Sequence, residues 1–264
     1  MDERLPNAVV SARTEITPEL FILQVTPDGT DPVEFEPGQY GELAIPEAAP
    51  AEQQPAEQKK FVRRPYSIAS SPTDGRYLEF FIVSVAGGEL TPKLQALPVG
   101  TRLWLGPKIK GKFTLNEVPE GKDLVLIGTG TGLAPFISMV RKYRHTGRWR
   151  NVAVIHCTRL ASELGYREEL EQYAESDSNF KYIPTVTREP AESSWSGLRG
   201  RVQPILDEEM FQKLAGFKLN PEEVQVMMCG NPEMIESVQQ LLELTGFKQH
   251  SKKNPGNIHF ERFW

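Results

Sequence analysis

What most constrains the fold of this chain is a change of texture near residue 123. Before it, short runs of alternating apolar and polar residues are broken every few positions by Gly and Pro. After it, continuous apolar runs take turns with helical stretches. The first pattern builds antiparallel sheet, and the second builds a parallel sheet with helices on both faces. A chain of 264 residues has room for one domain of each kind.

In the first part, residues 8–11, 20–24, 40–44, 64–67, 77–85 and 102–105 read as strands. They are too many and too short for a parallel sheet, so an antiparallel β-barrel is expected. Residues 91–97 read as one short helix, with Thr91 as its cap and Pro92 in its first turn. Residues 46–60, rich in Pro, Ala, Glu and Gln, have no apolar period and read as a surface loop. In the second part, apolar runs at 124–127, 152–156, 181–186 and 224–228 alternate with helical stretches at 133–143, 168–175, 202–206 and 233–243. The boundary is expected within residues 117–122, giving domains 1–117 and 118–264.

Composition excludes several functions. A net charge of −5 gives nucleic acid no global attraction. The N-terminus has acidic and polar residues where a signal peptide has a basic stretch and an apolar run, and no run approaches the ~20 residues that span a bilayer. A soluble, cytoplasmic protein without a membrane partner is expected. Two cysteines fall short of the set that holds an iron–sulfur cluster, and the four histidines show no metal-ligand spacing. His156 and Cys157 are adjacent on a strand, point to opposite faces, and read as packed residues. No metal is expected, and redox chemistry would come from an organic cofactor.

Two segments carry that chemistry. In Arg64-Pro65-Tyr66-Ser67, an Arg can pair with a diphosphate, a Tyr face can stack on a flat ring, and a Ser hydroxyl can meet a ring heteroatom. In Gly128-Thr129-Gly130-Thr131-Gly132-Leu133-Ala134-Pro135, a glycine turn joins an apolar strand to a helix, and its N–H groups and helix end suit a second diphosphate. Together they read as a flavin site followed by a pyridine-nucleotide site. The first charge after the second strand is Arg159, where an acid would hold the ribose hydroxyls of NAD, so the nucleotide is expected to be NADP. Arg188 and Arg201 either complete a pocket for its 2′-phosphate or are solvated surface residues. Cys229-Gly230-Asn231-Pro232 ends another strand, where the thiol lines a nicotinamide site or is a small buried residue. The terminal Phe260-Glu261-Arg262-Phe263-Trp264 needs a partner for its aromatics, in a core groove or on a cofactor ring.

These segments together resemble the ferredoxin/flavodoxin–NADP+ reductase family, in its compact bacterial branch, over nearly the whole chain. The resemblance is carried by RRPYSIASSP, LEFFIVSVAGGELTPKL, GTGTGLAPFISM, HCTRLASELGY, TVTRE, GRV, MMCGNPEM and the tail. It implies an N-terminal FAD-binding barrel, a C-terminal NADP(H)-binding α/β domain, and exchange of electrons with ferredoxin or flavodoxin by a monomer. Carried onto this chain, it implies that Arg64 binds the FAD diphosphate, Tyr66 stacks on the isoalloxazine and Ser67 lies near its N5. Val83 and Val85 line the ring edge, and Gly88, Leu90 and Thr91 hold the diphosphate. Thr131 and Cys229 border the nicotinamide, Thr131 also adjoining the flavin, and Gly130 and Asn231 bind NADP. Arg159, Arg188 and Arg201 read the 2′-phosphate, and Trp264 packs on FAD. Glu261 matches a carboxylate near the nicotinamide that orients the ring or relays a proton, unless it is a surface carboxylate.

Two other functions stay open on the sequence. One is a flavin reductase that uses NADH or NADPH to feed an oxygenase. The other is a flavin-binding regulatory subunit without turnover. The shortage of cysteines counts against both, and Arg159 counts against NADH in the first.

Overall fold

The computed structural model describes residues 5–45 and 61–262. The chain divides into two compact units, Met1–Lys112 and Phe113–Trp264.

The first unit holds β1 (Ala8–Glu15), β2 (Leu20–Pro27), β3 (Tyr40–Ala44), β4 (Arg63–Ser67), β5 (Leu78–Val83) and β6 (Arg102–Leu105), with one short helix, α1 (Thr91–Gln95). The strands pair antiparallel in the order β4-β3-β6-β1-β2-β5. The two edges meet where Ile68 bridges Phe80, and Ala69 N–H donates to the Glu79 carbonyl at 2.7 Å, which closes the sheet into a barrel. Alternation explains the filling: Phe21, Leu23 and Val25 of β2 point inward with Val10, Leu43, Leu78, Phe80 and Leu103. Leu90 and Leu94 plug the same core from α1 and the turn before it.

The second unit holds β7 (Asp123–Thr129), β8 (Val152–Thr158), β9 (Phe180–Val186), β10 (Leu198–Arg199), β11 (Val224–Gly230) and β12 (Ile258–Arg262). Its helices are α2 (Ala134–Tyr143), α3 (Arg167–Ser176), α4 (Glu208–Ala215) and α5 (Pro232–Leu244). All strands are parallel, in the order β10-β9-β8-β7-β11-β12. Every residue of β11 is buried, as expected of a strand covered on both faces. The turn Leu115–Glu117 groups with this unit, since Phe113 lies 5.9 Å from Phe136 and Arg148 donates to the Leu115 carbonyl at 2.7 Å. A division between residues 117 and 118 would leave that turn with the barrel.

Three elements differ from expectation. Thr91 is the first residue of α1 rather than its cap, because its hydroxyl accepts from Val85 N–H at 3.0 Å. The stretch at 202–206 is only a 3-10 turn, Gln203–Leu206, while the longer helix α4 follows it. Asp207 starts α4 by accepting from Met210 N–H at 3.2 Å, and Gly216 ends it with φ 83°. The segment read as a tail is strand β12 as far as Arg262, with Ile258 buried in the core and Phe260 packed against it.

Candidate functional site

In the barrel unit, β4 carries the basic and aromatic run. Arg64 donates to Glu89 at 2.7 Å and to the Arg63 carbonyl at 3.0 Å, with about half of its side chain in solvent. The Tyr66 ring meets Phe80 edge-on at 6.4 Å. Its hydroxyl is buried and has no hydrogen-bond partner among the described residues. Burial pushes that phenol up to about 12, against the lowering charge of Arg64. Ser67 ends β4 in register with Tyr40 and is buried. A buried polar atom without a partner is costly, so the Tyr66 hydroxyl is a point of unmet hydrogen-bonding capacity at β4 among the described residues.

Beyond β5, which ends at Val83, the chain turns from the exposed Val85 to Gly88, whose N–H donates to the Val85 carbonyl at 2.9 Å. A Cβ on Gly88 would lie 3.0 Å from both that carbonyl and the Thr91 hydroxyl, so the turn tolerates only glycine without shifting. The Leu90 side chain is buried in the barrel, which leaves only its backbone to face a ligand.

In the second unit, β7 is the switch point of the sheet: β8 follows on one side, whereas β11 returns on the other. Open parallel sheets bind ligands at the carboxyl ends of strands beside such a point. There the glycine turn forms a 3-10 turn, Gly130–Leu133, leading into α2. A Cβ on Gly132 would stand 2.8 Å from the Gly230 Cα and even nearer the Cys229 carbonyl, so this turn lies directly on the end of β11. Asn231 N–H donates to the Thr129 hydroxyl at 2.8 Å, tying the same two strand ends. Asn231 also caps α5, accepting from Met234 N–H at 3.1 Å.

His156 holds the turn from below. It is fully buried, with Nε2 3.1 Å from the Gly130 carbonyl and Nδ1 3.3 Å from the Tyr182 hydroxyl. Burial pushes its imidazole down to about 4, so the ring is neutral and Nε2 donates to Gly130. The sequence marked His156 only as a packed residue, and its grip on the glycine turn depends on a contact between neighbouring strands.

The three arginines follow three successive strands: Arg159 after β8, Arg188 after β9 and Arg201 after β10. The Arg188 N–H donates to the Arg159 carbonyl at 2.8 Å, so their backbones are adjacent. Arg159 pairs with Glu163 at 2.7 Å. The exposed Arg188 and Arg201 have no hydrogen bond or ion pair from their guanidinium groups among the described residues. Arg201 lies close enough to Cys157 to oppose the burial that raises its thiol to about 11.

Cys229 and Glu261 are register partners on β11 and β12. Burial, aided by the Glu261 charge, holds the Cys229 thiol well above its ordinary range, so it remains protonated. Burial raises the Glu261 carboxyl to about 7. One strand pair thus presents a neutral thiol beside a carboxyl that exchanges its proton near neutral pH. Trp264 and the loop at 46–60 lie outside the described residues. Among the described residues, no group of three or more His, Cys, Asp or Glu could hold a metal ion, and no helix is long and apolar enough to cross a membrane.

Comparison with known proteins agrees with this geometry. Residues 126–240 match the oxidoreductase NAD-binding domain. The chain is 32% identical over 232 residues to a flavodoxin/ferredoxin–NADP reductase of Buchnera aphidicola subsp. Schizaphis graminum, covering 87% of this chain and 88% of that one. It is 30% identical over 268 residues to the Rhodobacter capsulatus protein of the same name, covering 98% and 93%. The crystal structure of a ferredoxin NADP+ reductase from Neisseria gonorrhoeae with bound FAD and NADP matches 99% of each chain, with a TM-score of 0.84 and 27% identity. The chain belongs to the flavodoxin/ferredoxin–NADP reductase family.

Proposed function

We propose that this chain is a FAD-dependent reductase that exchanges electrons between NADP(H) and ferredoxin or flavodoxin. FAD, when bound, supplies the conversion between a two-electron hydride and single electrons, which no side chain can perform. The observation that carries the reading is the run of arginines after β8, β9 and β10, the three strands on one side of the switch point, two of them without a side-chain partner among the described residues.

The chain's own residues hold and orient the cofactors. In the barrel, Arg64, exchanging Glu89 for phosphate, would hold the FAD diphosphate together with backbone of the turn that ends at Thr91. Leu90 would contribute backbone there, Gly88 keeps the turn tight through its bond to the Val85 carbonyl, and Thr91 keeps it in shape by accepting from Val85 N–H. The unpartnered Tyr66 hydroxyl takes a polar atom of FAD while its ring supports the isoalloxazine. Ser67 offers a hydroxyl to the ring, and Val83 and Val85 give it an apolar edge.

In the second unit, Gly130 and Thr131 offer backbone to the nucleotide diphosphate, and Asn231 fixes the end of β11. Arg159, Arg188 and Arg201 bind the 2′-phosphate. Cys229, being neutral, acts as a small apolar wall for the nicotinamide and not as a nucleophile. Glu261 holds a proton beside that wall and releases it near pH 7.

The enzyme acts as a cytoplasmic monomer, and its partner is a carrier protein rather than nucleic acid or membrane. The deciding assay is reduction of purified ferredoxin and flavodoxin by the FAD-loaded protein with NADPH. Transfer to either carrier is expected. Absence of any NADPH oxidation would instead leave a regulatory subunit, and a preference for NADH would favour a reductase that feeds an oxygenase.

A further inference from the structure

We infer that Glu163 is a positioning residue for 2′-phosphate selectivity, holding one edge of the Arg159 guanidinium and leaving the other for the phosphate. The inference rests on the role proposed above for Arg159. Glu163 ends a 3-10 turn, Ala161–Glu163, just beyond β8. One carboxylate oxygen accepts from Arg159 Nη2 at 2.7 Å. The other accepts from the backbone N–H of Arg159 at 3.0 Å and of Leu160 at 3.2 Å, and lies 3.4 Å from Arg159 Nε. The Glu163 side chain is 16% exposed and that of Arg159 60%, so the carboxylate is the fixed member and the guanidinium reaches into solvent.

The turn that fixes Glu163 is itself tied down. Ala161 N–H donates to Glu189 at 2.7 Å, and this bond is the main cause holding the Glu189 carboxyl below its ordinary range. Thr187 N–H donates to the Thr158 carbonyl at 3.0 Å and Arg188 N–H to that of Arg159 at 2.8 Å, which locks the ends of β8 and β9 together. Arg199 donates to the Glu189 carbonyl at 2.7 Å from the next strand.

A guanidinium is a planar fork with donors on two edges. Glu163 occupies the Nε–Nη2 edge, so Nη1 and the outer proton of Nη2 remain for a phosphate oxygen. A long arginine chain otherwise samples many rotamers, and ordering it opposes binding. The Glu163 charge is already met by two backbone N–H groups and the guanidinium itself. Its repulsion of an incoming phosphate therefore acts through a neutralised and screened group. The gain from orientation outweighs that repulsion. Arg159 thus recognises phosphate by geometry, whereas Arg188 and Arg201, unpaired among the described residues, contribute charge.

The test measures binding of 2′,5′-ADP and 5′-AMP to the FAD-loaded enzyme by titration calorimetry, in wild type, Glu163→Gln, Arg159→Ala and the double variant. Glutamine still offers an oxygen to the two backbone N–H groups but loses the ion pair. Glu163→Gln is expected to weaken 2′,5′-ADP by roughly threefold to tenfold while leaving 5′-AMP unchanged, and to add nothing in the Arg159→Ala background. Equal weakening of both probes would reveal a collapsed turn and overturn the inference. So would unchanged or tighter 2′,5′-ADP binding in Glu163→Gln where Arg159→Ala alone weakens it. If Arg159→Ala leaves the discrimination between the probes intact, the reading of Arg159 itself fails, and the inference falls with it.

Discussion

Replacing Glu261 by Gln should change stability in a way that depends on pH. Burial raises this carboxyl from 4.5 to about 7. The folded state therefore binds the proton more tightly than the unfolded state, and between those two values it carries more protons. Stability falls as pH rises through that window and levels off above 7. A shift of this size corresponds to about 3 kcal/mol, an upper figure because Glu261 keeps some contact with solvent. Glutamine matches the protonated acid in shape and never ionises. The variant should therefore be more stable than wild type by up to about 3 kcal/mol at pH 8, and by less than about 1 kcal/mol at pH 5. Two histidines titrate against this trend. Burial holds His156 and His259 each down at about 4, so their contribution is complete above 6.5 and is lost as pH falls toward 4. Both are present in both proteins, so the difference between the proteins isolates Glu261. Urea unfolding of wild type and variant at pH 5 and pH 8, followed by circular dichroism, gives that difference. A gap that stays constant with pH would mean that Glu261 ionises in its ordinary range and is not the proton-holding group described above.

The two binding regions make further demands. Gly132→Ala puts a methyl group against the backbone of Cys229 and Gly230, which should cost about 1–3 kcal/mol and raise KM for NADPH and NADH alike. An unchanged melting temperature would show that the turn does not press on β11. Tyr66→Phe removes a buried hydroxyl that has no partner among the described residues, so the FAD-free protein should lose no stability, while FAD affinity falls roughly fivefold or more. Undiminished FAD binding would mean that the hydroxyl serves no ligand. Flavin released by acid from the purified protein should be FAD, because Arg64 and the turn from Gly88 to Thr91 provide for a diphosphate. Recovery of FMN alone would remove that rationale.

The parts of this fold that were legible in the sequence are those written in local pattern. Inward alternation in β2, burial of β7 as far as Gly128 and unbroken burial in β11 appear directly as apolar spacing. The glycine turn is equally local, because a turn joining a strand to a helix leaves its mark in adjacent residues. What the sequence hid depends on pairing at a distance. β12 is an edge strand whose run mixes His259, Glu261 and Arg262 with its apolar residues, and only its register with β11 defines it. Arg159 stood out as a lone cation after a strand, but its carboxylate partner emerges only when the turn brings Glu163 back onto it. Glu89 likewise becomes the counter-ion of Arg64 through the course of β5 and its turn. Asp207 was a signal that sequence reading could have used, since an acid ahead of Glu208-Glu209 marks the start of α4.

On the proposed function the chain binds FAD, and its arginines select NADPH to reduce it. Stopped-flow mixing of the oxidised, FAD-loaded protein with NADPH and NADH in parallel tests this most directly, by the loss of flavin absorbance. Rapid bleaching by NADPH is expected at low concentration, with NADH reaching a comparable rate only at much higher concentration. Equal response to the two nucleotides would contradict the role of Arg159, Arg188 and Arg201, and a flavin that neither nucleotide bleaches would contradict the function itself.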